Sequence, residues 1–99
     1  MQSSNQNTKL KKIAGLRQPE VSKLIRELRQ LTTLTQEQLA TVLGVAYGTI
    51  NRWENGHMQP SPLALKQIKA VLEDLGNSPE PELQKRGKDL LVKYFLEAE

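Results

Sequence analysis

The 99-residue chain contains no cysteine, which excludes disulfides, thiolate metal sites and a cysteine nucleophile. Its one histidine, His57, has no second histidine and no close acidic pair beside it, so no metal-ligand set and no cofactor is expected. Nothing pairs a nucleophile with a base, so catalytic residues are absent from this reading and an enzyme is not expected. No apolar run approaches the roughly 18 residues a membrane span needs. The first twelve residues, MQSSNQNTKLKK, lack the apolar stretch of a signal peptide, so the expected location is cytoplasmic, with no membrane partner. Aromatics are scarce, at one Trp, two Tyr and one Phe, whereas Leu, Ile and Val recur at short intervals; an aliphatic core in an all-α fold follows.

What is present is an uneven charge. Residues 1–72 hold ten Lys/Arg against four Asp/Glu, or +6, and residues 73–99 hold four against seven, or −3. The first three quarters are therefore the part suited to a polyanion, although a basic face also arises simply as a solubilising surface. The pattern divides into a flexible basic N-terminal arm (1–18, with Lys9, Lys11, Lys12 and Arg17), a helical domain (19–75), and a C-terminal helix (76–99).

Periodicity and caps give the helices. Pro19 opens the first, to about Gln30, with Leu24, Ile25 and Leu28 as its buried stripe. Thr35-Gln36-Glu37-Gln38 has the form of a capping box, starting a second helix that carries Leu39, Ala40 and Leu43 to Gly44, which ends it. A third runs from Ala46 to Glu54, where Asn55-Gly56 terminates it. Ser61-Pro62 caps a fourth, to about Leu75, and after Gly76-Asn77-Ser78-Pro79 a fifth spans about 80–97. Gly87 lies on the apolar stripe of the fifth, where it either permits a close helix crossing or weakens the helix. Two short helices around a Gly-containing turn form a helix-turn-helix.

In the third helix, successive side chains are about 100° apart. With Ile50 at the core, Ala46 and Trp53 fall beside it and Gly48, Asn51 and Arg52 face outward, flanked by Tyr47 and Thr49. That outward face offers hydrogen-bond donors and no acid. Arg matches guanine and Asn matches adenine in the major groove, while the amides at the start of the second helix, near Gln36, suit a phosphate.

The stretch TQEQLATVLGVAYGTINRWENG resembles the phage repressor/Cro-type helix-turn-helix, the xenobiotic-response-element family, over about Leu24 to Leu75. The resemblance implies a bundle of about five helices of the λ-repressor-like DNA-binding type, here with an additional C-terminal helix. It implies base reading by Tyr47, Gly48, Asn51 and Arg52, and phosphate contacts by Gln36, Thr49 and Asn55. It also implies a motif core of Leu39, Ala40, Gly44, Ile50 and Trp53, with Glu54 paired to Arg29 of the first helix. Two residues depart from the pattern: Gly48 supplies no side chain where relatives often carry a base reader, and His57 and Gln59 follow the Asn-Gly where relatives often carry Arg or Lys.

The expected function is sequence-specific binding of double-stranded DNA by a transcriptional regulator, a repressor acting as a homodimer. The fifth helix, with an exposed aromatic-aliphatic stripe (Leu83, Leu90, Leu91, Tyr94, Phe95), is the candidate for dimerisation, unless it closes the domain's own core. Two alternatives stand beside this one. One is an antitoxin whose toxin partner meets residues 79–99; the other is a protein-interaction module that keeps the fold without binding DNA.

Overall fold

A computed structural model describes residues 16–96; residues 1–15 of the basic arm expected over 1–18, and the chain beyond 96, lie outside the described residues. Leu16 and Gln18, expected in that arm, instead pack on the domain, because Leu16 is buried and Gln18 donates to the Trp53 and Met58 carbonyls. Among the described residues, Leu16 is the first to reach the core. The chain then forms α1 (Glu20–Thr32), α2 (Gln36–Leu43), α3 (Tyr47–Glu54), α4 (Pro62–Gly76) and α5 (Pro81–Leu91), and ends in a π-helical turn, Val92–Leu96. Among the described residues there is no strand.

The boundaries follow local chemistry. Pro19 stands just outside α1 rather than in its first turn, its carbonyl accepting from the Lys23 amide at 3.2 Å. The helix continues past the expected Gln30 to Thr32, because Leu31 is buried and prolongs the apolar stripe. It stops where Thr33 adopts a left-handed conformation, φ 58°, a conformation that costs a β-branched residue more than it costs glycine. Ser61 caps α4 by accepting from the Ala64 amide at 3.1 Å, and Pro62 follows in the first turn. These are the residues that make helix starts inexpensive.

Val21, Leu24, Ile25 and Leu28 from α1, Leu39 from α2, Ile50 from α3, and Leu65, Ile68 and Leu72 from α4 form one aliphatic centre with no or almost no exposure. Leu90, Tyr94 and Phe95 join it from the C-terminal end. The stripe expected to be exposed on the fifth helix is therefore turned inward, with only Leu83 and Leu91 half-buried and Val92 exposed. The reason is the short connection 77–80, which folds α5 straight back on α4, and Gly87, which lets the two axes close. The Tyr94 hydroxyl is buried without a hydrogen-bond partner, and burial pushes its pKa up. The Lys93–Glu27 pair at 3.0 Å lies at the rim, an exposed contact that water and salt screen.

Gly87 carries a testable load. A Cβ built there would lie 2.7 Å from Leu75 Cβ and 3.0 Å from the Gly76 nitrogen, and backbone cannot step aside as a flexible side chain can. In Gly87→Ala the overpacking, about 1–3 kcal/mol, is expected to exceed the roughly 1 kcal/mol that Ala gains over Gly inside a helix, a net destabilisation of up to about 2 kcal/mol. Urea unfolding would show it, and a variant as stable as the parent would mean that α5 has room to lift.

Candidate nucleic-acid interface

The two helices of the motif are joined by a turn fixed at both ends. Thr35 opens α2 with both halves of a capping box: its hydroxyl accepts from the Gln38 amide, and the Gln38 side chain accepts from the Thr35 amide, each at 3.0 Å. Gly44 ends α2 in the left-handed region, φ 72°, with its N–H directed to the Ala40 and Thr41 carbonyls. A Cβ would be strained at that φ, so the glycine fixes where the chain turns. Ala46 then acts as the N-cap of α3 in extended conformation and is exposed. This corrects the expectation that Ala46 packs inward: as a cap it stands outside the helical register that placed it beside Ile50.

The back of α3 is held by burial and polar bonds. Ile50 and Trp53 are buried among the α1, α2 and α4 side chains, and Glu54 beside them is only 6% exposed. A buried carboxylate needs partners, and Glu54 has two: Arg29 Nε at 3.3 Å on Oε2 and the Gln36 Nε2 amide on Oε1. The pair with Arg29 is the one implied by the family resemblance. Gln36 Oε1 in turn accepts from Asn51 Nδ2 at 3.3 Å, and Asn51 Oδ1 accepts from Asn55 Nδ2 at 3.2 Å.

The carboxyl end of α3 is tied to α1 by contacts that sequence reasoning missed. Ser22 Oγ donates to the Glu54 carbonyl at 2.6 Å and Arg26 Nη2 donates to the same oxygen at 3.0 Å. Gln18 Nε2 donates to the carbonyls of Trp53 (2.9 Å) and Met58 (3.0 Å). The bonds to Trp53 and Glu54 cover carbonyls that a helix end leaves without intrahelical partners, and the bond to Met58 pins the loop that follows. No periodicity could have exposed them, since Gln18 and Ser22 lie off the apolar stripe and resemble ordinary surface residues.

The front of α3 is open. Tyr47 is 55% exposed and Arg52 is exposed, with Gly48, Thr49 and Asn51 half-buried around them and Asn55 exposed at the helix end. Arg52 folds back over Gly48: a Cβ built on the glycine would lie 3.4 Å from Arg52 Nη1 and 3.9 Å from Cζ. The missing side chain thus leaves a flat strip of helix surface beneath the guanidinium. Gln36, at the first turn of α2, is brought beside Asn51, so the residues expected to meet bases and those expected to meet phosphates share one face. Glu37 in that first turn is exposed and carries the opposite charge to the one a phosphate seeks. His57 and Gln59 are exposed in the following loop, where Gln59 serves the fold by donating to the Leu16 carbonyl and accepting from the Gln18 amide. Among the described residues no group of acids and histidines could hold a metal ion, and no helix is long and apolar enough to cross a membrane.

Comparison with known proteins bears on the same segment. Residues 25–73 match a family model described as helix-turn-helix. A Bacillus subtilis (strain 168) protein named "Uncharacterized HTH-type transcriptional regulator RghRB" is 42% identical over 50 residues. Those residues make up 50% of this chain and 36% of that protein, so the chain spans about a third of the relative's length. No solved structure matches the chain significantly.

Proposed function

Because the chain belongs, through residues 25–73, to the phage repressor/Cro-type helix-turn-helix family, we propose that it binds double-stranded DNA sequence-specifically and regulates transcription. One observation carries this reading. The helix Tyr47–Glu54 spends Ile50, Trp53 and Glu54 on anchoring itself and leaves Tyr47, Gly48 and Arg52 on a surface that no other element among the described residues covers. A short helix with donors outward and no acid among its exposed side chains fits the major groove, where Arg pairs bidentately with guanine. The amides at the N-terminus of α2 lie beside that surface, positioned to take a backbone phosphate. Gln36 shares this role: its Nε2 has two protons and Glu54 takes one. Thr49 and Asn55 flank the reading face as further phosphate contacts.

An eight-residue helix reads only a few base pairs, too few for a unique address. The proposal therefore includes a homodimer with two reading helices about 34 Å apart in successive major grooves, acting as a repressor by occupying its site. The relative's name, a transcriptional regulator, agrees with the regulatory reading.

Titration against duplex DNA at several salt concentrations tests it. Binding through several phosphates releases counterions, so log affinity is expected to fall linearly with log salt, at a slope of roughly 0.9 per phosphate neutralised. A flat dependence, or no binding to duplexes selected from a random pool, would leave the fold as an interaction module.

A further inference from the structure

The polar chain beneath the reading helix has a direction. Glu54 is an ionised carboxylate paired with Arg29, and a carboxylate only accepts. Gln36 must therefore turn its Nε2 toward Glu54, which points its Oε1 the opposite way, to Asn51. Facing an acceptor, Asn51 must present Nδ2, and that leaves its Oδ1 on the far side, where Asn55 Nδ2 donates to it. An asparagine amide on a surface flips between two orientations of similar energy. Here the charge on Glu54, passed through two amides, selects one of them.

Resting on the DNA-binding reading above, we propose that Glu54, Gln36 and Asn55 are positioning residues that hold the Asn51 amide in a single orientation, so that its remaining edge reads adenine beside a guanine read by Arg52. After the two internal bonds, Asn51 keeps one proton on Nδ2 and one lone pair on Oδ1. One donor next to one acceptor is the complement of the adenine edge, with its N7 acceptor and N6 amino donor. Guanine offers two acceptors there, cytosine a donor and thymine an acceptor. A fixed amide accepts that pair in one order along the groove, whereas a flipping amide accepts both. Gly48 lies between Asn51 and Arg52 on the helical surface and adds no side chain that would separate them from the bases, and Arg52 already lies over it. The preferred half-site is thus expected to place adenine and guanine close together.

The test is selection of sites from a randomised duplex pool by the whole chain, followed by affinities for single-base variants of the selected site. Asn51→Ala first identifies the position that Asn51 reads. The parent is expected to prefer adenine there by roughly 5- to 150-fold, the discrimination of a good bidentate contact. Glu54→Gln replaces an acceptor-only group by one that also donates, which lets the relay reverse, and Asn55→Ala removes the last bond. Both are expected to reduce the adenine preference at least about five-fold while the guanine preference lost in Arg52→Ala stays within about two-fold of the parent. A phosphate contact or a general loss of stability would weaken all sites together and leave these ratios unchanged. Should Glu54→Gln fail to fold, Asn55→Ala, at an exposed helix end, still decides the matter. Adenine preference undiminished in the folded variants, or no adenine lost in Asn51→Ala, overturns the proposal while leaving DNA binding intact. A parent that selects no sequence at all overturns the DNA-binding reading instead.

Discussion

Arg29→Ala is expected to lower the unfolding free energy by about 2–3 kcal/mol, the larger of the two stability effects predicted for this protein. Glu54 would be left in the protein interior with the Gln36 amide as its only side-chain partner. Removing one partner of a fully buried ion pair costs about 3–5 kcal/mol, because the remaining charge has lost its water and gained nothing in exchange. The figure here is lower because the Arg29 side chain keeps 27% of its surface in solvent and meets Glu54 through a single 3.3 Å contact. Against a total stability of about 5–15 kcal/mol for a domain of this kind, the loss should move the urea midpoint clearly while the slope of the transition stays the same. A cost below about 1 kcal/mol would place the pair among ordinary surface salt bridges and would remove the reason for Glu54 to direct the amides above it.

Arg52→Ala is expected to weaken binding to the preferred duplex by about 1–3 kcal/mol, or roughly 5- to 150-fold, with a much smaller effect on random DNA. Its side chain is exposed and lies over the Gly48 surface, so the unfolding midpoint and helicity of the variant should match those of the parent. That separation makes the experiment decisive. If affinity for specific and random duplexes falls by the same factor, and the salt slope falls by about one, then Arg52 meets a phosphate and sequence is read elsewhere on the face.

The backbone plan was largely legible from the sequence because it rests on strong local signals. The capping box at Thr35, the left-handed glycine at Gly44 and Ser61-Pro62 each act within four residues, and the structure shows each of them performing that role. With Ile50 set at the core, the positions of Trp53 and Arg52 followed from helical spacing. Spacing failed at Ala46, because a cap does not obey the angle between successive helical residues. It failed again at Leu90, Tyr94 and Phe95, where an amphipathic stripe shows that a face must be covered without showing by what; the short connection 77–80 settles that by returning the stripe to its own core. Of the polar bonds around Glu54, only the pair with Arg29 was expected, from the family resemblance. The relay through Gln36 and Asn51 to Asn55 was not legible. Side-chain amides meet across elements distant in sequence, and nothing in the residue type says which end of an amide faces inward.

The way α3 is mounted has a practical consequence. Its rear side chains and its last carbonyls are fixed to α1 and α2, whereas Tyr47, Gly48 and Arg52 support nothing behind them. Libraries randomised at 47, 48 and 52 should consequently retain the parental melting behaviour across most members, and retargeted variants should inherit one docking pose while differing in the operators they prefer. The scaffold separates what can be re-lettered from what must be left alone.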